Sequence, residues 1–277
     1  MWWINPLLLF VISFFLGIVS VLAGIGGGSI YVPVVAAFFP FNFDLIRGAG
    51  LFLTLGSSLS AAPRLLKQGF ADIRLSLPFA LSGAVFSVIG AKAGLAADER
   101  VLKITLGVIM VAVSAFMILN RSHSSSRLPL KKDFIASILH IGGIFKNNGN
   151  EEGNEWSIKN SLTGMVLFAF IGIISGMFGI GGGWAGVPVL NLVLGVPLKL
   201  AAGTSSIIIS ANSSSAIWVY ISHNAVFPLI ALPSFLGVAL GSKLGARFMG
   251  KASPRLIRTL IIAFLVFSGI RLIAGNL

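Results

Sequence analysis

The feature that most constrains this chain is an internal repeat. Gly24-Ile25-Gly26-Gly27-Gly28 recurs as Gly179-Ile180-Gly181-Gly182-Gly183, an offset of 155 residues (179 less 24). The offset holds across both halves without a gap. Gly17 meets Gly172, Ser20 meets Ser175, Pro33 meets Pro188, Leu45 meets Leu200 and Gly48 meets Gly203. Ser58 meets Ser213, Leu77-Pro78 meets Leu232-Pro233, and Arg100 meets Arg255. Identities spread this widely at one offset mark a duplicated unit, so whatever the first half folds into, the second must also form.

The unit is apolar. Of 277 residues, 56% are hydrophobic and only 10% charged. A soluble domain carries about 25% charged residues, so this chain has too little charge to cover a water-facing surface. Apolar runs long enough to cross a bilayer recur, which predicts an all-α polytopic membrane protein. Residues 1–120 form the first membrane repeat and 160–277 the second. Between them, 121–159 contain SHSSSR, KKD and NNGNEEGNE. That stretch is too polar to span and reads as a surface linker, with a short amphipathic helix expected around 134–145. The absence of cysteine removes disulfides and thiolate chemistry.

Each repeat divides alike. In the first, apolar segments fall at about 6–22, 29–39, 45–66, 75–95 and 101–119. In the second they fall at about 162–178, 184–194, 200–221, 226–248 and 256–274. The second segment of each set is about half the roughly 20 residues that a crossing needs. A helix, a glycine break and a half-helix predict a hairpin that enters the membrane and returns, followed by three transmembrane helices.

The basic residues test this. The linker carries Arg121, Arg127, Lys131, Lys132, Lys146 and Lys159, and the last loop with its flanks carries Lys243, Arg247, Lys251, Arg255 and Arg258. Both regions are cytoplasmic by the positive-inside rule. They share a side only if each hairpin makes no net crossing. Each repeat then crosses an odd number of times, and the two repeats are inverted. Arg64, Lys67 and Arg74 also fall inside, and both termini fall outside. The net charge of +12 is therefore read as orientation, and no nucleic-acid partner is expected. One loop, with Lys92, Arg100 and Lys103, argues the other way. Trp2, Trp3 and Trp156 read as interfacial anchors.

Inverted repeats with broken helices point to a secondary transporter with a midplane site. Backbone freed by a break must line a cavity or be buried in protein. The start of a half-helix presents N–H donors suited to an anion. The candidate site is therefore Gly26, Gly27, Gly28 and Ser29, with Ser29 as N-cap, together with Gly181, Gly182, Gly183 and Trp184. Ser57 and Ser58 superpose on Asn212 and Ser213, mid-segment, and supply uncharged donors. For these four, back-bonding within the helix is an equal reading. Thr204 and Ser205, in Gly203-Thr204-Ser205-Ser206, are placed at a vestibule. The glycine pairs are also G-x-x-x-G spaced, as is Gly237/Gly241/Gly245, where helix packing is the favoured reading.

The eight acidic residues all lie outside the middles of the segments. Cation carriers and proton pumps place carboxylates there, so an anionic or neutral substrate is favoured. No metal-ligand spacing or catalytic set appears; the expectation is a transporter, not an enzyme, without cofactor or metal.

Gly24–Pro33, reading GIGGGSIYVP, and Gly179–Pro188, reading GIGGGWAGVP, resemble the TauE/SafE family of sulfite-exporter-like permeases. Ala201–Ser206, reading AAGTSS, fits as well. The resemblance covers nearly the whole chain. It implies a carrier in a prokaryotic inner membrane for small sulfur-containing anions such as sulfite or organosulfonates. An anion channel, or an accessory membrane subunit without transport of its own, remains as an alternative. The substrate, direction, coupling ion and oligomeric state are not fixed by sequence. Trp184 stands where the first motif has Ser29, so the two half-sites need not bind alike.

Overall fold

The computed structural model describes residues 4–38, 41–119, 142–145, 154–249 and 253–275. The first repeat forms α1 (Ile4–Ala23), α2 (Gly27–Phe38), α3 (Phe43–Lys67), α4 (Ile73–Ala96) and α5 (Glu99–Leu119). The second forms α6 (Ser161–Phe178), α7 (Gly183–Pro188) continued by a π-turn (Val189–Val193), α8 (Leu198–Ser222), α9 (Pro228–Phe248) and α10 (Pro254–Ala274). Each element of the second set corresponds to the one five places earlier. The half-helices expected after both glycine runs are present.

Among the described residues, five helices are long and apolar enough to cross a membrane: α1, α3, α4, α6 and α9. Their outward faces carry Leu7, Phe15, Leu81, Val85, Val166, Phe170, Leu232 and Leu236, all exposed. Such a surface is stable against hydrocarbon and not against water.

The repeats clasp each other. α1 packs on α9 and, in the matching pair, α6 packs on α4; α3 packs on α9, and α8 on α4. The equivalent helices α3 and α8 touch directly, as do α5 and α10. Glycines make the close crossings. A Cβ at Gly237, Gly241 or Gly245 would lie 2.3, 1.9 or 2.7 Å from the carbonyl oxygens of Phe10, Phe14 and Ile18. These glycines serve helix contact, as their spacing suggested. The order of contacts also gives direction: α1 and α9 ascend together. Gly172 against Gly83 and Gly176 against Ser87 give the same result for α6 and α4.

The linker departs from expectation. Residues 142–145, the end of the expected amphipathic helix, form strand β1 (Gly142–Phe145), antiparallel to β2 (Asn154–Ser157); residues 134–141 lie outside the described set. Gly142 and Gly143 disfavour helix, and the cross-strand ladder satisfies this backbone instead. Trp156 is not an interfacial anchor. It is 6% exposed and, with fully buried Ile158, joins the core. Trp2 and Trp3 lie outside the described residues.

Candidate functional site

Both glycine breaks are buried and touch the same two side chains. A Cβ at Gly26 would lie 3.0 Å from Thr54 Cγ2 and 3.4 Å from Ile209 Cγ2; at Gly181 the same atoms would be 2.2 and 2.9 Å away. Thr54 and Ile209 are equivalent positions on α3 and α8. Gly24 and Gly26 have φ of 69° and 78°, and Gly179 and Gly181 have 69° and 76°. L side chains rarely adopt that backbone, which explains the glycines at a sharp helix reversal. The repeats are stitched here by Ser29. Its hydroxyl lies 2.7 Å from the Ile25 carbonyl and 2.6 Å from the Ile180 carbonyl, its one proton shared between them.

Ser29 is thus not an N-cap. α2 begins two residues earlier, at Gly27, because its first amides find partners on α3. Gly27 N donates to Ser57 Oγ at 3.0 Å, and Gly28 N donates to Thr54 Oγ1 at 3.0 Å. Those hydroxyls donate in turn to backbone carbonyls, Thr54 to Gly50 at 2.8 Å and Ser57 to Thr54 at 3.0 Å. Every donor in this relay is satisfied. Ser58 bonds back to the Thr54 and Leu55 carbonyls, which is the intrahelical reading of the two open for it.

The second break differs. α7 begins at Gly183, one position later in the repeat, and Gly182 sits before it at φ 80° with no side-chain cap. Asn212 replaces Ser57, and Ile209, which has no acceptor, replaces Thr54. Around this break the described residues hold several buried polar atoms without a hydrogen-bond partner: Ser175 Oγ, Trp184 Nε1, Ser205 Oγ, both Asn212 side-chain atoms and Ser213 Oγ. All five side chains are at most 1% exposed. Neighbours place two of them: Ser205 Oγ would be 2.9 Å from a Cβ at Gly186, and Ser175 Oγ 3.5 Å from one at Gly182. The Asn212 amide packs on Gly83, and Ser87 Oγ donates to the Asn212 carbonyl at 2.9 Å. Buried polar groups without partners are uncommon in native structures.

Thr204 stands apart from this centre. It is buried at the α3–α4 turn, where its Oγ1 accepts from Asp72 N at 3.1 Å. Arg47 escaped sequence reasoning. It is 2% exposed and ion-paired with Asp44. Its Nη1 donates to the Gly94 carbonyl at 3.1 Å and the Met177 carbonyl at 2.7 Å, so it ties the ends of α4 and α6 to α3. The guanidinium also lies over the Phe43 and Tyr220 rings, and the Tyr220 hydroxyl donates to Gly176 O at 2.9 Å. A basic residue inside an apolar run was the available signal. Likewise, the Thr54/Ile209 mismatch under a matched glycine motif was visible. His223 is an exposed residue at the end of α8. Among the described residues no group of three His, Cys, Asp or Glu could hold a metal ion.

The family model described as Sulfite exporter TauE/SafE matches residues 9–272. The chain is similar to the probable membrane transporter protein YunE of Bacillus subtilis strain 168, with 26% identity over 274 residues that cover 96% of each chain. It is 25% identical over 278 residues to the probable membrane transporter protein MJ0441 of Methanocaldococcus jannaschii, covering 95% of this chain and 93% of that one. No solved structure matches.

Proposed function

The chain belongs to the sulfite exporter TauE/SafE family and is a multi-pass membrane transporter, and from that premise we propose that it carries small sulfur-containing anions such as sulfite or organosulfonates outward by alternating access. The observation that carries this reading is the meeting of the two glycine breaks at Thr54 and Ile209, beside uncharged donors that lack partners. Uncharged hydroxyl, amide and indole groups can replace part of an anion's hydration shell. The site residues are fully buried, so a substrate reaches them only if the repeats move against each other. A potential of 100 mV, inside negative, is worth about 2.3 kcal/mol per charge and drives a monovalent anion outward without a coupling ion.

The inverted arrangement of the repeats is part of this reading, and helix directions support it. α1 runs with α9, and α6 with α4. Gly48 against Ala225 and Gly56 against Phe235 set α3 parallel to α9. Gly203 against Phe70 and Asn212 against Gly83 set α8 parallel to α4. The Arg47–Tyr220 contact at one end and the Gly203–Phe70 contact at the other set α3 antiparallel to α8. α1 and α3 therefore point one way while their equivalents α6 and α8 point the other, with α2 and α7 returning between them. Exposed Arg64, Lys67, Arg74, Lys243 and Arg247 then share one end, which suits a cytoplasmic face with external termini in an inner membrane.

Purified protein in liposomes tests the function. Saturable counterflow of labelled sulfite is expected. Non-saturating single-channel current would replace the carrier by a channel, and no flux of any anion would leave an accessory role.

A further inference from the structure

We propose that the substrate is gripped by the second repeat alone, through Ser175, Trp184, Ser205, Asn212 and Ser213, and that it is a singly charged oxoanion. This rests on the transporter reading above and narrows it. The duplication supplies two half-sites at one centre, but only one is open. In the first, Thr54 and Ser57 consume the Gly27 and Gly28 amides, and Ser20 Oγ bonds to the Gly17 carbonyl at 3.0 Å. In the second, the equivalents are Ile209, Asn212 and Ser175, and the two polar ones have unpartnered side-chain atoms. The difference is written in the side chains, so a rocking motion that exchanges the conformations of the two repeats does not exchange their chemistry.

Neighbours place Ser175, Ser205 and Asn212 along the second break, and Trp184 and Ser213 adjoin Gly183 and Asn212 in the chain. Ser205 lies at Gly186 and Ile209 at Gly183, so Asn212, one turn on along the same face of α8, reaches the start of the break. Ser175 is at Gly182. Gly83 touches both the Asn212 amide and Gly172, one turn from Ser175 on α6. Four of the five groups are hydroxyls or an indole N–H, all able to donate. Asn212 adds two donors for charged oxygens and an acceptor that suits a protonated position on the substrate.

Charge selects the class. The buried cations among the described residues are Arg47 and Lys199. Arg47 adjoins the second break at Gly179 and has an unpartnered Nε, but its charge is paired with Asp44 and its Nη1 donates to two carbonyls; Lys199 lies over the Phe70 ring. Arg47 reaches Met177, two residues from Ser175, as one half of an ion pair with Asp44, and Lys199 is about 20 Å from Asn212 along α8 at 1.5 Å per residue. Desolvation cost grows with the square of the charge, whereas neutral donors repay it only in proportion to the charge. A dianion is therefore rejected by a site that accepts a monoanion.

The test uses the purified full chain with methanesulfonate and hydrogensulfite against sulfate and thiosulfate, in binding and in liposome counterflow. The monoanions are expected to bind at least about tenfold more tightly. Ser175→Ala and Ser213→Ala should weaken methanesulfonate about tenfold while the ligand-free Tm holds or rises, since each removes an unpaired buried hydroxyl. Ser20→Ala, at the first-repeat position that matches Ser175, should leave methanesulfonate affinity near wild type, since its hydroxyl is already bonded to the Gly17 carbonyl. Equal binding of dianions would overturn the charge class. Wild-type binding in both second-repeat serine variants, or a Ser20→Ala loss matching theirs, would overturn the one-sided site. Absence of binding and flux with every anion would remove the transporter reading itself, and this inference with it.

Discussion

At the first glycine break, two backbone amides donate to Ser57 and Thr54 of the same repeat. At the second, the same two positions hold Asn212 and Ile209, and no side chain caps α7. Both breaks have the same glycines and the same positive φ at their first and third positions. Duplication thus preserved the backbone reversal and let the hydrogen bonding diverge. A half-helix start closed by its own protein is structural. One left beside unpaired polar groups costs stability in the ligand-free state, and such cost concentrates at functional sites.

The comparison can be broken most severely at the backbone. A Cβ at Gly24 would stand 2.6 Å from Ala202 Cα, and one at Gly179 would stand 2.3 Å from the Arg47 carbonyl, both at φ 69°. Gly24→Val and Gly179→Val should each eliminate folded protein, read as loss of the monodisperse peak in detergent. Unequal yields would show that the two reversals are not the same structural element. Next comes Arg47, whose counterpart in the second repeat is Ala202. Arg47→Ala leaves Asp44 and the Gly94 and Met177 carbonyls without their partner, an expected loss of about 3–5 kcal/mol. Thermal unfolding in detergent measures it, and a neutral result would deny that one end of the molecule is tied more tightly than the other.

The sharper tests exchange the caps. Thr54→Val strips the Gly28 amide of its acceptor and should cost about 1–2 kcal/mol. The reverse change, Ile209→Thr, offers a cap to the second break and should stabilise by about 0.5–1.5 kcal/mol while reducing substrate flux. Paired denaturation curves and counterflow rates check both. If Ile209→Thr is destabilising and transports normally, the second break is not open. The smallest effect belongs to Ser29→Ala, which removes one hydroxyl proton shared between two carbonyls and should cost about 1 kcal/mol by the same measurement.

Much of the architecture was legible before any coordinates. The half-helices, the three long helices after each and the packing role of Gly237, Gly241 and Gly245 follow from segment length, glycine placement and spacing. The sequence was silent where a partner is distant along the chain. The Ser29 bond to Ile180 spans 151 residues, and the Arg47 bond to Met177 spans 130. Local reasoning made Ser29 an N-cap because serine commonly is one. It made Trp156 an anchor because tryptophan commonly lies at interfaces. Tertiary packing overrode both.

By itself the sequence determined the duplication, the membrane-spanning composition and the places where helices must stop, because these depend on each residue's own polarity and conformational range. Only the tertiary structure decided which of two matched glycine breaks is sealed. A polar atom is satisfied or orphaned by what lies within hydrogen-bonding reach of it, and that is a property of the packed chain. The same motif, written twice, therefore has one half that holds the protein together and another left with polar groups unpaired.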